Sequence, residues 1–172
     1  MTDAATETLW YFAYGSNLDP RTFLGRRRIR PVETRRAALA GYRLVFDLRI
    51  GDGERGVANL LPERGARVCG VAYRISASQA AWLDRTEGVP HGAYRRLPVR
   101  LRDDADADFA GFTYLSERRS PERKPSERYM NLLLHGARHH GLPDAWVHWL
   151  RGIELAVDER SPQLELDLPR GR

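Results

Sequence analysis

Long apolar runs are missing from this 172-residue chain. Its uninterrupted apolar stretches are far shorter than the ~20 residues needed to cross a bilayer. The N-terminus lacks the basic start and apolar core of a secretory signal, and no lipidation signal follows. Cysteine is almost absent: Cys69 is the single one, which excludes an internal disulfide and a cysteine-built zinc site and makes the cytoplasm the default compartment. Set in the run VCGVAY, Cys69 reads as a core residue of a strand, not as a nucleophile. Lysine is nearly absent too, with Lys124 the only one among 28 basic residues. Internal repeats and low-complexity blocks are missing. So are the phosphate-binding glycine loops, the H-E-x-x-H metal motif and, around Ser16, the G-x-S-x-G nucleophile elbow.

What is present is an ordinary globular composition, 42% hydrophobic and 30% charged, in a length that suits one domain with a proper core. The polar first eight residues are expected to fray and the tail beyond 153 to be peripheral, leaving 9–153 as the domain. The formal charge of +5 comes with 23 acidic residues. The arginines are spread along the chain in clusters such as RRRIR (26–30), Arg95-Arg96 and 118–124. A nucleic-acid module is one reading of that basicity; the scatter and the matching acids argue against it, and neither nucleic acid nor membrane is the expected partner.

Periodicity and breakers place strands at 9–14, 36–49, 57–62 (stopped by Pro62), 68–75, 94–101 and 109–115. A short helix is expected after Asp19-Pro20, ending at Gly25. A second opens on the capping box Ser76/Gln79 and stops at Gly88. A third runs from the Ser126 cap to about His140, with Tyr129, Leu132, Leu133 and Gly136 on one stripe, and a fourth opens at Pro143. Six or seven strands with helices after the first, in the middle and at the end do not alternate like a doubly wound sheet. The pattern predicts an α+β fold: a mostly antiparallel sheet that curls into a small barrel, with flanking helices.

Two places can carry chemistry. At Tyr14-Gly15-Ser16-Asn17 a buried strand ends in a glycine-loosened polar turn before a helix start. Such a turn either offers backbone N–H groups to an anion or merely caps the helix. Glu87 falls at the C-terminal end of a helix, where the dipole disfavours an acid by ~0.3–1 kcal/mol. It is either a solvated surface acid or, if partly buried, an acid/base group with a raised pKa. His91, His135, His139 and His140 read as bystanders, and 135/139 lack the rest of a metal motif.

Taken together, YFAYGSNL (11–18), GVANLLP (56–62), VCGVAY (68–73), LDRTEGVPHGAY (83–94) and SERYMNLLLHGARHHGLP (126–143) resemble the γ-glutamylcyclotransferase (AIG2-like) family in order and spacing. Asn17 and the EGV run favour the plain γ-glutamylcyclotransferase branch over the γ-glutamylamine and glutathione-degrading branches, which read closer to YGT or YGSL at the first loop. The resemblance implies an acyl-transferring enzyme that needs no cofactor and no metal. It would convert a small-molecule γ-glutamyl peptide or amide to 5-oxoproline and the free amine. It implies Glu87 as catalytic acid/base, Tyr14, Gly15, Ser16 and Asn17 as substrate cradle, and Tyr129 as a further pocket residue. The alternative is a non-catalytic member that binds a small metabolite in the same cradle. The leaving amine (amino acid, glutathione or a pathway intermediate) and the oligomeric state stay open. On charge alone, the arginine-rich stretch 118–128 is a candidate wall for an acidic leaving group.

Overall fold

The computed structural model describes residues 7–157; the frayed start and the far tail expected from sequence lie largely outside them. Five strands form the barrel: β1 (Thr8–Ala13), β2 (Glu33–Arg49), β3 (Gly56–Ser76), β4 (Arg95–Asp103) and β5 (Asp108–Leu115). Around the closed barrel the order is β1-β3-β2-β4-β5. All neighbours are antiparallel except β1 and β5, whose parallel pairing through Tyr11 and Phe112 closes the ring. The helices are α1 (Ala77–Thr86), α2 (Glu127–His139) and α3 (Asp144–Arg151). None of them is long and apolar enough to cross a membrane.

The expected α+β barrel is therefore present, with five strands instead of six or seven. The difference lies in β3. Pro62 and the PERG turn predict two strands, yet one strand runs from 56 to 76, and Pro62 stands opposite Tyr42. The register slips there: Ala40 faces Arg67 and Tyr42 faces Pro62. One residue on β2 is thus matched by four on β3. Gly41 and Gly65 absorb the bulge at φ of 81° and 83°, a left-handed geometry that suits glycine. Proline, which has no N–H to give the ladder, is tolerated at such a bulge.

Both helix caps read from sequence form. The Ser76 side chain accepts from the Gln79 amide, and the Gln79 side chain answers the Ser76 amide. The Ser126 side chain accepts from the Tyr129 amide. The segment after the first strand is not an α-helix but a 3-10 turn at Ser16–Leu18 followed by a π-helical turn at Arg21–Arg26. Gly25 does not end it. Inside the barrel, Phe23 stacks on Tyr73 with ring centres 4.1 Å apart, and Tyr11 lies parallel to both. Cys69 is buried, and burial pushes its thiol pKa up. The chain packs beyond 153: Ala156 is buried, and its amide reaches the Pro125 carbonyl at 2.9 Å.

Candidate functional site

β1 delivers Tyr14 and Gly15 to one end of the barrel. The amides of Leu18 and Asp19 then fold back onto the carbonyls of Gly15 and Ser16, at 3.0 and 3.1 Å. A turn closed this way leaves its leading amides, those of Ser16 and Asn17, outside its own ladder. The loop is buttressed from behind. The Tyr73 hydroxyl donates to the Asn17 carbonyl at 3.1 Å, and His140 Nε2 stands 3.1 Å from the Leu18 carbonyl. α2 presses on Leu18 at Gly136, where an added Cβ would stand 2.4 Å from a backbone carbon. Only glycine allows that approach. His135, the residue before it, places Nδ1 3.1 Å from the buried Asp19 and stacks on His139.

Glu87 reaches the same place from α1, as the residue capping its C-terminus, with Gly88 left-handed after it. Its Oε1 accepts from Asn17 Nδ2 at 2.9 Å and from Arg27 Nη2 at 3.1 Å. Arg27 also grips the Thr86 carbonyl at 3.2 Å, so it clamps the end of α1 to the loop. The Glu87 side chain is only 13% exposed. Burial pushes its pKa above the ordinary carboxylate value, and the Arg27 charge and the Asn17 hydrogen bond pull back only part of the way.

Between the loop and Glu87 lies a small cavity of about 40 Å³, walled by Tyr11, Tyr14, Gly15, Ser16, Asn17, Ala58, Glu87, Tyr94, Tyr114 and Tyr129. Two of these tyrosines spend their protons on the frame: Tyr14 donates to the Tyr114 carbonyl at 2.6 Å and Tyr94 to the Ala58 carbonyl at 2.7 Å. Two others accept. Tyr11 takes Asn17 Nδ2 at 2.9 Å, and Tyr129 takes the Ala58 amide at 3.1 Å. A hydroxyl that accepts still owns a proton to donate. Burial pushes the Tyr129 pKa up to about 12 and raises that of Tyr11 as well, so both remain neutral donors at physiological pH. The site thus pairs one largely buried carboxylate with phenolic donors, a set suited to moving a proton beside a developing oxyanion.

All six residues singled out from sequence line this one cavity: Glu87, Tyr14, Gly15, Ser16, Asn17 and Tyr129. Gly15 is pinned between two of its neighbours, since an added Cβ would stand 3.0 Å from the Tyr129 hydroxyl and 3.1 Å from Ala58 Cβ. Sequence reasoning missed Tyr11, Arg27, Ala58, Tyr94 and Tyr114. Tyr94 sits inside the EGVPHGAY run and was within reach. Arg27 was hidden in RRRIR, where nothing local separates a clamp from a solvated cation.

With this geometry established, comparison with known proteins adds four findings. A family model, the AIG2-like family, matches residues 67–150, a span that holds Glu87 and Tyr129 but not the loop at 14–17. The chain is 32% identical over 153 residues to the γ-glutamylcyclotransferase of Mus musculus, covering 86% of this chain and 80% of that one. It is 28% identical over 161 residues to the Homo sapiens γ-glutamylcyclotransferase, covering 90% and 83%. A solved structure of a γ-glutamyl cyclotransferase superposes with a TM-score of 0.76 at 26% identity, over 87% of this chain and 89% of that one.

Proposed function

The chain belongs to the γ-glutamylcyclotransferase family, and from that premise we propose that it converts a γ-glutamyl peptide or amide to 5-oxoproline and the free amine. One observation carries the reading: a largely buried carboxylate, Glu87, whose Oε1 lies 2.9 Å from Asn17 Nδ2, the two residues lining one cavity with the rest of the loop at 14–17.

The substrate's α-amine and γ-carbonyl belong to one flexible chain, so attack is intramolecular. Folding that chain into a near-attack hairpin supplies much of the barrier, of order 7–11 kcal/mol in well-oriented systems. Glu87 takes a proton from the α-ammonium. The freed nitrogen pair forms a bond to the γ-carbon, and the carbonyl oxygen becomes an oxyanion within reach of the Ser16 and Asn17 amides or the Tyr129 hydroxyl. Collapse of that intermediate breaks the bond to the leaving nitrogen, which receives the proton Glu87 stored and departs as the neutral amine. The ring nitrogen, cationic since the attack, then gives its second proton to Glu87, which passes it on to the departing amine or to solvent. Proton, electron pair and leaving group balance with no external reactant. The raised pKa of Glu87 suits this double duty, since a carboxylate at its ordinary pKa returns a proton poorly near neutral pH.

The test is release of 5-oxoproline from γ-glutamyl dipeptides, with Glu87→Gln beside the parent. Parent turnover and a loss of roughly 10²–10⁴-fold in kcat for the variant are expected. Calorimetric binding of the same dipeptides without 5-oxoproline formation would replace the enzyme with a metabolite-binding member of the fold.

A further inference from the structure

Asn17 joins the acid to a second side chain. Its Nδ2 donates to Glu87 Oε1 and to the Tyr11 hydroxyl, each at 2.9 Å. An amide nitrogen carries two hydrogens, and both are thereby spent. The two bonds diverge in the amide plane, so the hydroxyl oxygen stands about 5 Å from Oε1. Tyr11 comes from β1 and Glu87 from the end of α1, and both line the same small cavity.

These bonds leave one hydrogen-bonding position open on each partner. On Glu87, Oε1 takes both Asn17 and Arg27, while Oε2 has no hydrogen-bond partner among the described residues. On Tyr11, the hydroxyl accepts from Asn17, and its own proton has no acceptor among the described residues. The residue is only 5% exposed. A hydroxyl proton left without an acceptor at such depth points to a ligand that takes it. The other cavity tyrosines differ. Tyr14 and Tyr94 donate to backbone carbonyls, and Tyr114 donates to Asp84 Oδ1 at 2.7 Å. Tyr129 also keeps its proton, but its partner is the Ala58 amide. Among the cavity tyrosines, Tyr11 alone shares its partner with the acid. Its ring lies against those of Phe23, Tyr73, Phe112 and Tyr114, so the hydroxyl is held in place before any substrate arrives.

We propose that Tyr11 is a catalytic residue: its hydroxyl donates to the oxyanion formed at the γ-carbonyl, while Oε2 of Glu87 takes the proton from the attacking nitrogen. The inference rests on the cyclotransferase reading above. The spacing fits a tetrahedral intermediate, whose nitrogen and oxygen sit on one carbon about 2.3 Å apart. With a hydrogen bond of about 2.7–3.0 Å at each end, that pair spans the gap between carboxylate and hydroxyl along a bent path. Burial holds the Tyr11 pKa well above the ordinary phenol value. The hydroxyl therefore gives a hydrogen bond and no proton, and the balance of protons in the reaction is unchanged. Because one amide nitrogen holds both groups, acid and donor keep a fixed separation, which is the preorganisation an oxyanion site needs.

The test is Tyr11→Phe in the full chain, with kcat and KM read separately from 5-oxoproline release across a range of pH. Phenylalanine keeps every ring contact and removes one oxygen. A fall in kcat of roughly 10²–10³-fold is expected, the cost of losing one oxyanion donor. KM should stay within a few-fold of the parent's, and the acidic limb of the kcat/KM profile should not move. A kcat within about threefold of the parent's overturns the role of Tyr11 and leaves the activity standing. A fall in kcat together with a shifted acidic limb overturns it as well, because Tyr11 would then act only by holding Asn17 against Glu87. Fluorotyrosine at position 11 covers the case of a phenylalanine variant that does not fold. It keeps the hydroxyl as a somewhat stronger donor and is expected to match or exceed the parental kcat, whereas a fall of about tenfold overturns the assignment. No 5-oxoproline from the parent overturns the activity, and the assignment with it.

Discussion

At the residue scale Glu87 is a compromise. Its position as the cap of α1 sets it against the helix dipole, and its burial raises the pKa; Arg27 and Asn17 give back part of that cost. The sign has a consequence for stability. A carboxyl whose folded-state pKa is raised favours the folded protein when protonated, and the ionised form burdens it as pH rises through that pKa. Glu87→Gln is therefore expected to melt higher than the parent at pH 7. The gain should shrink as pH falls and be gone below the ordinary value of 4.5. Thermal unfolding of both proteins from pH 4 to 8 measures it, and a variant that melts lower at neutral pH would mean that the ion pair outweighs desolvation. Arg27 acts in the opposite sense, holding the Glu87 pKa down through its charge. Arg27→Met should move the acidic limb of the kcat/KM profile to higher pH, because the base form is then harder to reach. An unmoved limb would leave Arg27 a purely mechanical clamp.

At the element scale the site is made by α1 and α2 converging on one loop. The carboxylate comes on the residue that caps the C-terminus of α1 and the Tyr129 hydroxyl from the first turn of α2. The Ser126 cap that fixes the latter end was legible in the sequence, while the Ser76/Gln79 cap fixes the opposite end of α1. The role of Gly136 was not. On the sequence it is one position of an apolar stripe, and only the structure shows that Leu18 fills the space its side chain would take. Gly136→Ala tests this contact with opposing forces. Alanine gains about 1 kcal/mol of helix propensity over glycine. Its Cβ, however, would stand 2.4 Å from the Leu18 backbone, which has no rotamer to give. Overpacking of this kind costs typically 1–3 kcal/mol. A net loss of up to about 2 kcal/mol in urea denaturation is expected, together with a drop of roughly tenfold or more in kcat/KM as Asn17 shifts from Glu87. A variant more stable than the parent would show that α2 can ride away from the loop freely.

At the scale of the whole molecule the barrel brings together residues far apart in sequence: the loop at 14–17, Ala58, Glu87, Tyr94 and Tyr129. Their chemistry could be read locally, but their meeting could not, because closure depends on register. The aromatic, apolar run LWYFAY predicts β1 without saying that it sits between β3 and β5, antiparallel to the first and parallel to the second. The PERG segment carries every mark of a turn, and it becomes a bulge inside one long strand because β2 continues past it and keeps its ladder partners. Closure instead leaves its mark in glycines where strands crowd. At Gly70 an added Cβ would stand 2.3 Å from the Ala13 carbonyl oxygen and 2.7 Å from the Phe12 ring, at the end of the β1–β3 ladder just before the loop. Neither neighbour can yield: the carbonyl belongs to the strand that closes the ring, and Phe12 is fully buried. Gly70→Ala should therefore prise β1 from β3 and destabilise the whole barrel by about 3 kcal/mol or more, at or beyond the upper end of ordinary overpacking. Equilibrium urea unfolding followed by both tryptophan fluorescence and circular dichroism measures it. Coincident transitions at a lower midpoint are expected if closure is cooperative, whereas an early fluorescence transition alone would mean that β1 detaches while the remaining strands hold.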